Sequence, residues 1–438
     1  MMRYFHLLTL LLFFVACSDD KTPTDGDVSL GMLTITMSNA SNVSYQVQLR
    51  NTQTNSVFTA ATDTTATASF RVPPGIYEAT VIGSFATDGI AYTQNGSTGQ
   101  IAIRANQEKR VVIELLTART SQVIIKELYC GGCVMDDGVT KFQYDKCLVL
   151  YNNSHLPATL DNLCVGMIAP ANAQATNNNY TDDGRLTYET DGFIPAWQAL
   201  WYFQQPLHIE PYAQVVVNIH GPIDNTLTVS QSVNYANSDY YCMFDPESGF
   251  KNASYYPTPS DVIPSSHYLK ACVVGLGNAW ALSVTSPALF IFQTHGVSPD
   301  DYARNVDNHW YDGGGASQSK LCVKIPDEWV VDAIEVFSSA YPTGCVKRLT
   351  ANIDAGYVWL TNYQGHSLYR NVDREATESL PENEGRLVYG YSLGADGSTD
   401  PSGIDAEASV RKGAHIIYQD TNNSTNDFHE RQLCSLKY

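Results

Sequence analysis

Two cysteines at the spacing of a redox or metal pair, an oxygen-rich octapeptide and two aromatic clusters are the parts of this chain that could do chemistry. Cys130-Gly131-Gly132-Cys133 places two thiols three positions apart. A structural zinc needs four ligands, and the nearest further thiols, Cys147 and Cys164, sit in apolar runs. A thioredoxin-like role wants the pair at a helix start. Here it follows a strand pattern and precedes Asp136-Asp137-Gly138. The pair reads first as a local disulfide or two unpaired thiols, then as a metal site, and last as a redox centre.

Asp420-Thr421-Asn422-Asn423-Ser424-Thr425-Asn426-Asp427 is dense in oxygen ligands, so a calcium site using Asp420, Asn422 and Asp427 is one reading. The spacing is not that of an EF-hand, which needs a central glycine and a terminal glutamate. Asx-turns closing a loop between strands use the same residues without an ion. Arg411 or Lys412 is then expected to pair with Asp420 or Asp427. No cofactor is the first expectation, with calcium at this loop as the alternative. The aromatic candidates are Trp310 and Tyr311, followed by Asp312 and three glycines, and Trp197 and Trp201 beside Tyr202 and Phe203. Such rings stack on sugars or grip peptides, but they also fill sandwich cores. The chain has no HExxH, phosphate loop or dinucleotide fingerprint.

The elements that must hold these residues are strands. Leu33, Ile35 and Met37 alternate with polar neighbours, as do Val43, Tyr45, Val47 and Leu49, then Val111, Ile113 and Leu115. Val72-Pro73-Pro74-Gly75-Ile76-Tyr77 reads as a turn feeding a strand. Further on, short apolar runs at Val123–Ile125, Cys147–Tyr151, Val215–Ile219, Ala288–Phe292 and His415–Tyr418 suit sandwich-core strands, with long polar stretches between them. The expected fold is all-β: a small N-terminal β-sandwich over 30–118, then a larger, loop-elaborated β-sandwich over 119–438. A formal charge of −19 excludes a polyanion-binding surface, so nucleic acid is not an expected partner.

Met1-Met2-Arg3, the apolar run Leu7–Val15 and Ala16-Cys17 resemble a bacterial lipoprotein signal. The resemblance implies removal of residues 1–16 and lipidation of Cys17, with 17–29 as a tether. Ser18 after the cysteine is similar to signals that permit transfer to the outer membrane, and Asp19-Asp20 resembles surface-export signals. Nine cysteines remain after Cys17, an odd count that leaves at least one thiol unpaired or bonded elsewhere.

Several blocks of the second unit resemble the DUF4876 family of uncharacterised bacterial lipoproteins. They are Ile124-Ile125-Lys126-Glu127-Leu128-Tyr129, Tyr144-Asp145-Lys146, Leu150-Tyr151-Asn152-Asn153-Ser154 and Leu163-Cys164-Val165-Gly166. Val331-Asp332-Ala333-Ile334-Glu335, Lys347-Arg348-Leu349, Asp354-Ala355-Gly356 and Ser409–Lys412 with Asp420–Phe428 continue the series. The N-terminal turn-and-strand is similar to transthyretin-like or carboxypeptidase-regulatory-like modules. The first and last blocks resemble lamin-tail-like, Ig-like sandwiches, in which an acid commonly stands where this chain has Val149. No catalytic mechanism comes with any of these resemblances. The leading expectation is a non-catalytic, lipid-anchored outer-membrane protein on the cell surface, binding an extracellular glycan or working with an outer-membrane protein complex. An extracellular hydrolase acting on glycan or peptide, and a cell-envelope scaffold or adhesin, are the alternatives.

Overall fold

Leu33, Ile35 and Met37 point inward from the strand Gly31–Ser38, and their polar neighbours do not, as the two-residue period of a strand requires. This is a computed structural model, and it describes residues 29–87, 90–119, 121–395 and 397–437. The signal segment, Cys17 and nearly all of the tether lie outside them. Gly31–Ser38 pairs antiparallel with Thr67–Val72 and parallel with Glu108–Glu114. A second sheet runs Val57–Ala61, Gln46–Asn51, Gly75–Thr87, Ile90–Ser97 and Leu116–Arg119, with Ile101–Ile103 also on Gly75–Thr87. Both sheets contribute to one core, where Leu33, Ile35, Tyr45, Leu49 and Tyr77 are fully buried. Tyr77 also holds the proline turn, its hydroxyl donating to the Pro73 carbonyl at 2.7 Å.

The second unit opens with Val123–Tyr129. It is organised by one twelve-stranded sheet. From one end the order is Val358–Leu360, Val330–Ser338, Ala288–Gln293, Leu163–Met167, Ala199–Tyr202 and Tyr268–Val273. It continues through Tyr241–Met243, Gln214–His220, Lys146–Asn152, Val123–Tyr129, Ser367–Arg370 and Phe428–Arg431. The sheet coils until its ends approach one another, and Leu128, Leu148, Val165, Trp201, Ile291 and Val336 meet in its interior. The expectation of an all-β chain with a small sandwich first and a larger, loop-elaborated β unit second is met.

The coiled sheet has a seam where strands approach without forming a ladder, and buried carboxylates take up the N–H groups left there. Asp332 Oδ2 accepts from Ile125 N at 2.6 Å, beside a bulge between Ile125 and Glu127. Glu430 Oε1 accepts from Thr361 N at 2.6 Å, joining the two ends of the sheet. Asp354 Oδ2 accepts from Glu335 N at 3.0 Å. A buried N–H without an acceptor costs about 1–3 kcal/mol, which gives these acids a structural reason to be inside.

One expected strand is absent. His415–Tyr418 forms no ladder beyond a single bridge between Val372 and Tyr418. Side chains stand in for the neighbouring strand: Asn383 Oδ1 accepts from His415 N, Thr377 Oγ1 from Ile417 N, and Asn153 Oδ1 from Tyr418 N, at 2.8, 3.0 and 2.8 Å. An apolar run reports burial, and burial here is achieved without a sheet partner. Among the described residues no helix is long and apolar enough to cross a membrane.

Candidate binding cleft

The strand Leu321–Pro326 gives way to one 3-10 turn, Asp327–Trp329, before Val330–Ser338 begins. That turn carries an acid, a second acid and a tryptophan to the surface. Asp327 N donates to Gly192 O at 3.0 Å, which fixes the turn. The Trp329 ring leans on Tyr302 at a centroid distance of 4.6 Å and meets His295 edge-on at 5.9 Å. Tyr302 is itself held by its hydroxyl donating to Lys324 O at 2.8 Å.

This turn forms part of the lining of a cleft of about 910 Å³. Further lining comes from Ser154 and His155, and from Thr117 and Ser121 where the two units join. Gln122 braces that junction, its Nε2 donating to Ser154 Oγ at 2.8 Å and Leu156 O at 2.7 Å. Asp327 Oδ2 accepts from Asn352 Nδ2 at 2.7 Å, while Asp327 Oδ1 is buried with no partner among the described residues. Burial pushes the Asp327 carboxyl above the usual range, against the pull of the Asn352 amide, and Glu189 and Glu328 add to the rise. Asn422 Nδ2, on another part of the lining, is buried without a partner too. The cleft thus offers an aromatic ring, one unused acceptor and one unused donor. Its charged residues are Asp327, Glu328 and Asp332, and among its described lining residues there is no lysine or arginine.

Asn422 also belongs to the oxygen-rich octapeptide, whose other members face a different task. Asp427 Oδ1 and Oδ2 accept from Thr421 N at 3.1 and 2.9 Å, and Oδ2 accepts from Asn423 N at 3.2 Å. Asp420 Oδ1 accepts from Arg370 Nη1 at 3.0 Å, and the same nitrogen lies 3.7 Å from Asp427 Oδ2. Arg370 is fully buried and also pairs with Asp332. Asp420 and Asp427 therefore spend their oxygens on N–H groups and a guanidinium. The cation is Arg370, not Arg411 or Lys412, both of which are exposed. Burial raises the Asp332 and Asp427 carboxyls more than Arg370 lowers them, because one guanidinium is shared among three acids. Gly356 is needed at this corner, since a Cβ there would run into Asn423 and Thr425.

The Cys130–Cys133 pair sits beneath the surface. Both thiols are buried and unbonded, and burial pushes each up to about 12. Gly132 makes the turn between them at φ +70°, in the left-handed region, where a Cβ would strike the Phe142 carbonyl. Among the described residues no group of three His, Cys, Asp or Glu side chains is arranged to hold a metal. Close by, Asp145 accepts from Tyr129 at 3.0 Å and Ser232 at 2.7 Å. Burial raises its carboxyl to about 6 despite those bonds.

A folded value above the unfolded one means that the folded chain holds the extra proton between about pH 4 and pH 6. Stability from this group is present below about pH 4 and is lost as pH rises through the folded value. The loss is about 3 kcal/mol, at 1.36 kcal/mol per unit. Asp145→Asn removes that term. Its stability relative to the unsubstituted chain, from urea unfolding, is expected to improve by about 2–3 kcal/mol between pH 4 and pH 7.5. An unchanged difference would mean that Asp145 is solvated.

The aromatic candidates divide. Trp201 is fully buried in the sheet interior, with its ring 5.9 Å from Phe250 and 5.7 Å from Tyr256, so it is core and not a binding platform. Trp310 is half-buried and packs edge-on against Tyr188 at 5.7 Å and near Phe193 at 6.2 Å. Phe193–Trp197, Leu321–Pro326 and His309–Tyr311 form a three-stranded sheet that sets both Trp197 and Trp310 opposite Cys322. Trp197 is half-buried and donates to Ser319 O at 3.3 Å; Tyr311 is half-buried at the end of its strand. None of the four lines the cleft. That small sheet instead serves the cleft indirectly, by delivering the Asp327–Trp329 turn.

The reading of the sequence found Asn422 and missed Asp327, Trp329, His295 and Asn352. The available signal was Pro326-Asp327-Glu328-Trp329, two acids and an indole between two apolar runs. His295 and Asn352 lie far from it along the chain, and only the fold gathers them.

Residues 210–390 match the family model DUF4876, described as a protein of unknown function. A DUF4876 family protein from Bacteroides thetaiotaomicron VPI-5482, known from a crystal structure, is similar in fold. Its TM-score is 0.52 at 20% identity, over 91% of this chain and 94% of that one. A Bacteroides ovatus ATCC 8483 protein described as a "putative adhesin" matches over 63% of this chain and 84% of that one. At 8% identity and a TM-score of 0.17, that likeness carries no argument. No curated protein matches the chain. The resemblance to DUF4876 is borne out, over residues 210–390 by the family model and over most of the chain by fold.

Proposed function

We propose that this chain is a lipid-anchored protein of the outer membrane, exposed at the cell surface, which binds an extracellular ligand without turning it over. The observation that carries the binding half is the cleft beside Trp329, whose lining leaves one hydrogen-bond acceptor and one donor unused. Buried polar groups are nearly always paired, and two unpaired ones lie along this cleft, where a ligand could partner them. The anchoring half rests on Leu7–Val15 and Ala16-Cys17. The net charge of −19 favours a partner other than a polyanion.

Cys17→Ala is expected to abolish incorporation of labelled fatty acid and to release the chain from the membrane fraction. Protease added to intact cells is expected to cleave the unsubstituted chain. Retention of label by Cys17→Ala would overturn the anchor, and full protection from protease would place the chain on the inner leaflet. New reducing ends or peptide termini in a ligand incubated with the purified chain would favour the hydrolase alternative.

A further inference from the structure

We infer that the cleft binds a neutral oligosaccharide, with Trp329 as the stacking face; this deepens the binding reading above and rests on it. The first ground is the ring. Trp329 is braced by Tyr302 at 4.6 Å and His295 at 5.9 Å, so it presents apolar surface in a fixed orientation. A fixed indole costs little ordering entropy on binding, and its flat face suits the C–H face of a pyranose.

The second ground is the pairing of unused polar atoms. Asp327 Oδ1 lacks a donor and Asn422 Nδ2 lacks an acceptor, and both residues line the same cleft. A sugar hydroxyl is a donor and an acceptor at once. Both atoms are shielded from solvent, so the side chains turn to meet a ligand, a motion that the broad terminal torsions of Asp and Asn allow.

The third ground is charge. Asp327 and Glu328 line the cleft with no lysine or arginine among its described lining residues; Asp332, also on the lining, is already paired with Arg370. A phosphate, a sulfated glycan or a uronic acid polymer would enter against like charge with no cation to meet it. A neutral glycan carries no such penalty. The volume of about 910 Å³ lies within the range of small-ligand clefts and is enough for a few sugar units.

The test is affinity electrophoresis of the full, lipidated chain in detergent at pH 8. The neutral probes are α- and β-linked glucans, mannan, xylan and galactan, and polygalacturonate is the anionic probe. At least one neutral polymer is expected to retard the chain, and polygalacturonate is not. Trp329→Ala is expected to weaken that retardation about tenfold or more. Asp327→Asn, which keeps the shape of the turn, is expected to weaken it less. Trp359→Ala, at an exposed ring outside the cleft, is expected to leave it unchanged. Melting temperatures of the three variants show whether each is folded. Were Trp329→Ala unfolded, Asp327→Asn would decide alone. Retardation by polygalacturonate only, retardation untouched by both cleft variants, or no retardation by any neutral polymer overturns the inference. Those outcomes leave surface anchoring, which the protease and labelling experiment reads separately, to stand or fall on its own.

Discussion

Arg370→Met is expected to cost about 3–5 kcal/mol of stability at pH 7.5, the size seen when one partner is removed from a buried ion pair. The guanidinium is fully buried and serves Asp332, Asp420 and Asp427 together. It also donates to Ile125 O at 2.7 Å and Gln419 O at 3.0 Å. Methionine fills much of the same volume and leaves three acids without a cation. The Asp332 and Asp427 carboxyls are already raised by burial, and without Arg370 they rise further. A carboxyl raised in the folded chain stabilises below its unfolded value and loses that contribution as pH climbs through the folded value. The penalty of the substitution therefore grows with pH, and at pH 5 it is expected to be roughly half its value at pH 7.5. Urea unfolding at the two pH values measures it. A penalty independent of pH would mean that Asp332 and Asp427 are not titrating around this guanidinium.

Arg348→Met is expected to be about as severe. Arg348 and Glu335 are both fully buried, and the two oxygens of Glu335 receive four donors. Arg348 Nε and Nη2 reach Oε1 at 2.9 and 2.6 Å, while Arg348 N and Leu349 N reach Oε2 at 3.0 and 2.8 Å. The same guanidinium donates to Pro170 O and Ser286 O, each at 2.9 Å, tying two loops to the strand Val330–Ser338. Removal of the cation alone is expected to cost about 3–5 kcal/mol. Adding Glu335→Gln to Arg348→Met removes the stranded charge and keeps an acceptor for the two backbone N–H groups. The double variant is expected to be about 1–2 kcal/mol more stable than Arg348→Met by urea unfolding. A double variant no more stable than Arg348→Met would show that the loops, not the charge, set the cost.

The first of these predictions originates in the shape of the sheet. A twelve-stranded sheet that coils toward closure brings strand edges together out of register, and their backbone groups need partners. Asp332, Asp354 and Glu430 supply them at the seam, and each then needs its own cation or hydroxyl. Arg370 answers Asp332, Ser424 donates to Asp354, and His366 meets Glu430 at 2.8 Å. Buried charge in this fold follows from sheet geometry, so its presence is no sign of an active site.

That distinction could not be read along the chain. Asp420, Asn422 and Asp427 were identifiable as a group because they are close in sequence and rich in oxygen. Their separation into two roles was not, because Arg370 lies fifty positions from Asp420 and its charge gave no hint of burial. Trp201 and Trp310 looked alike as exposed-ring candidates, yet one is core and the other packs on Tyr188 and Phe193. An indole has the same character in either place, and only its neighbours decide which it is.

The sequence by itself determined the all-β class and the family blocks around Asp332 and Asp354, which fall within the residues matched by DUF4876, because alternation and local motifs need only near neighbours. It also determined the acidic balance, a formal charge of −19. Tertiary structure alone decided that the second sheet coils on itself, that His415–Tyr418 is held by side chains, and that Trp329, Asp327, His295 and Asn422 share one cleft. Those outcomes depend on contacts between residues tens to hundreds of positions apart, and no local period records which distant edge a strand will meet.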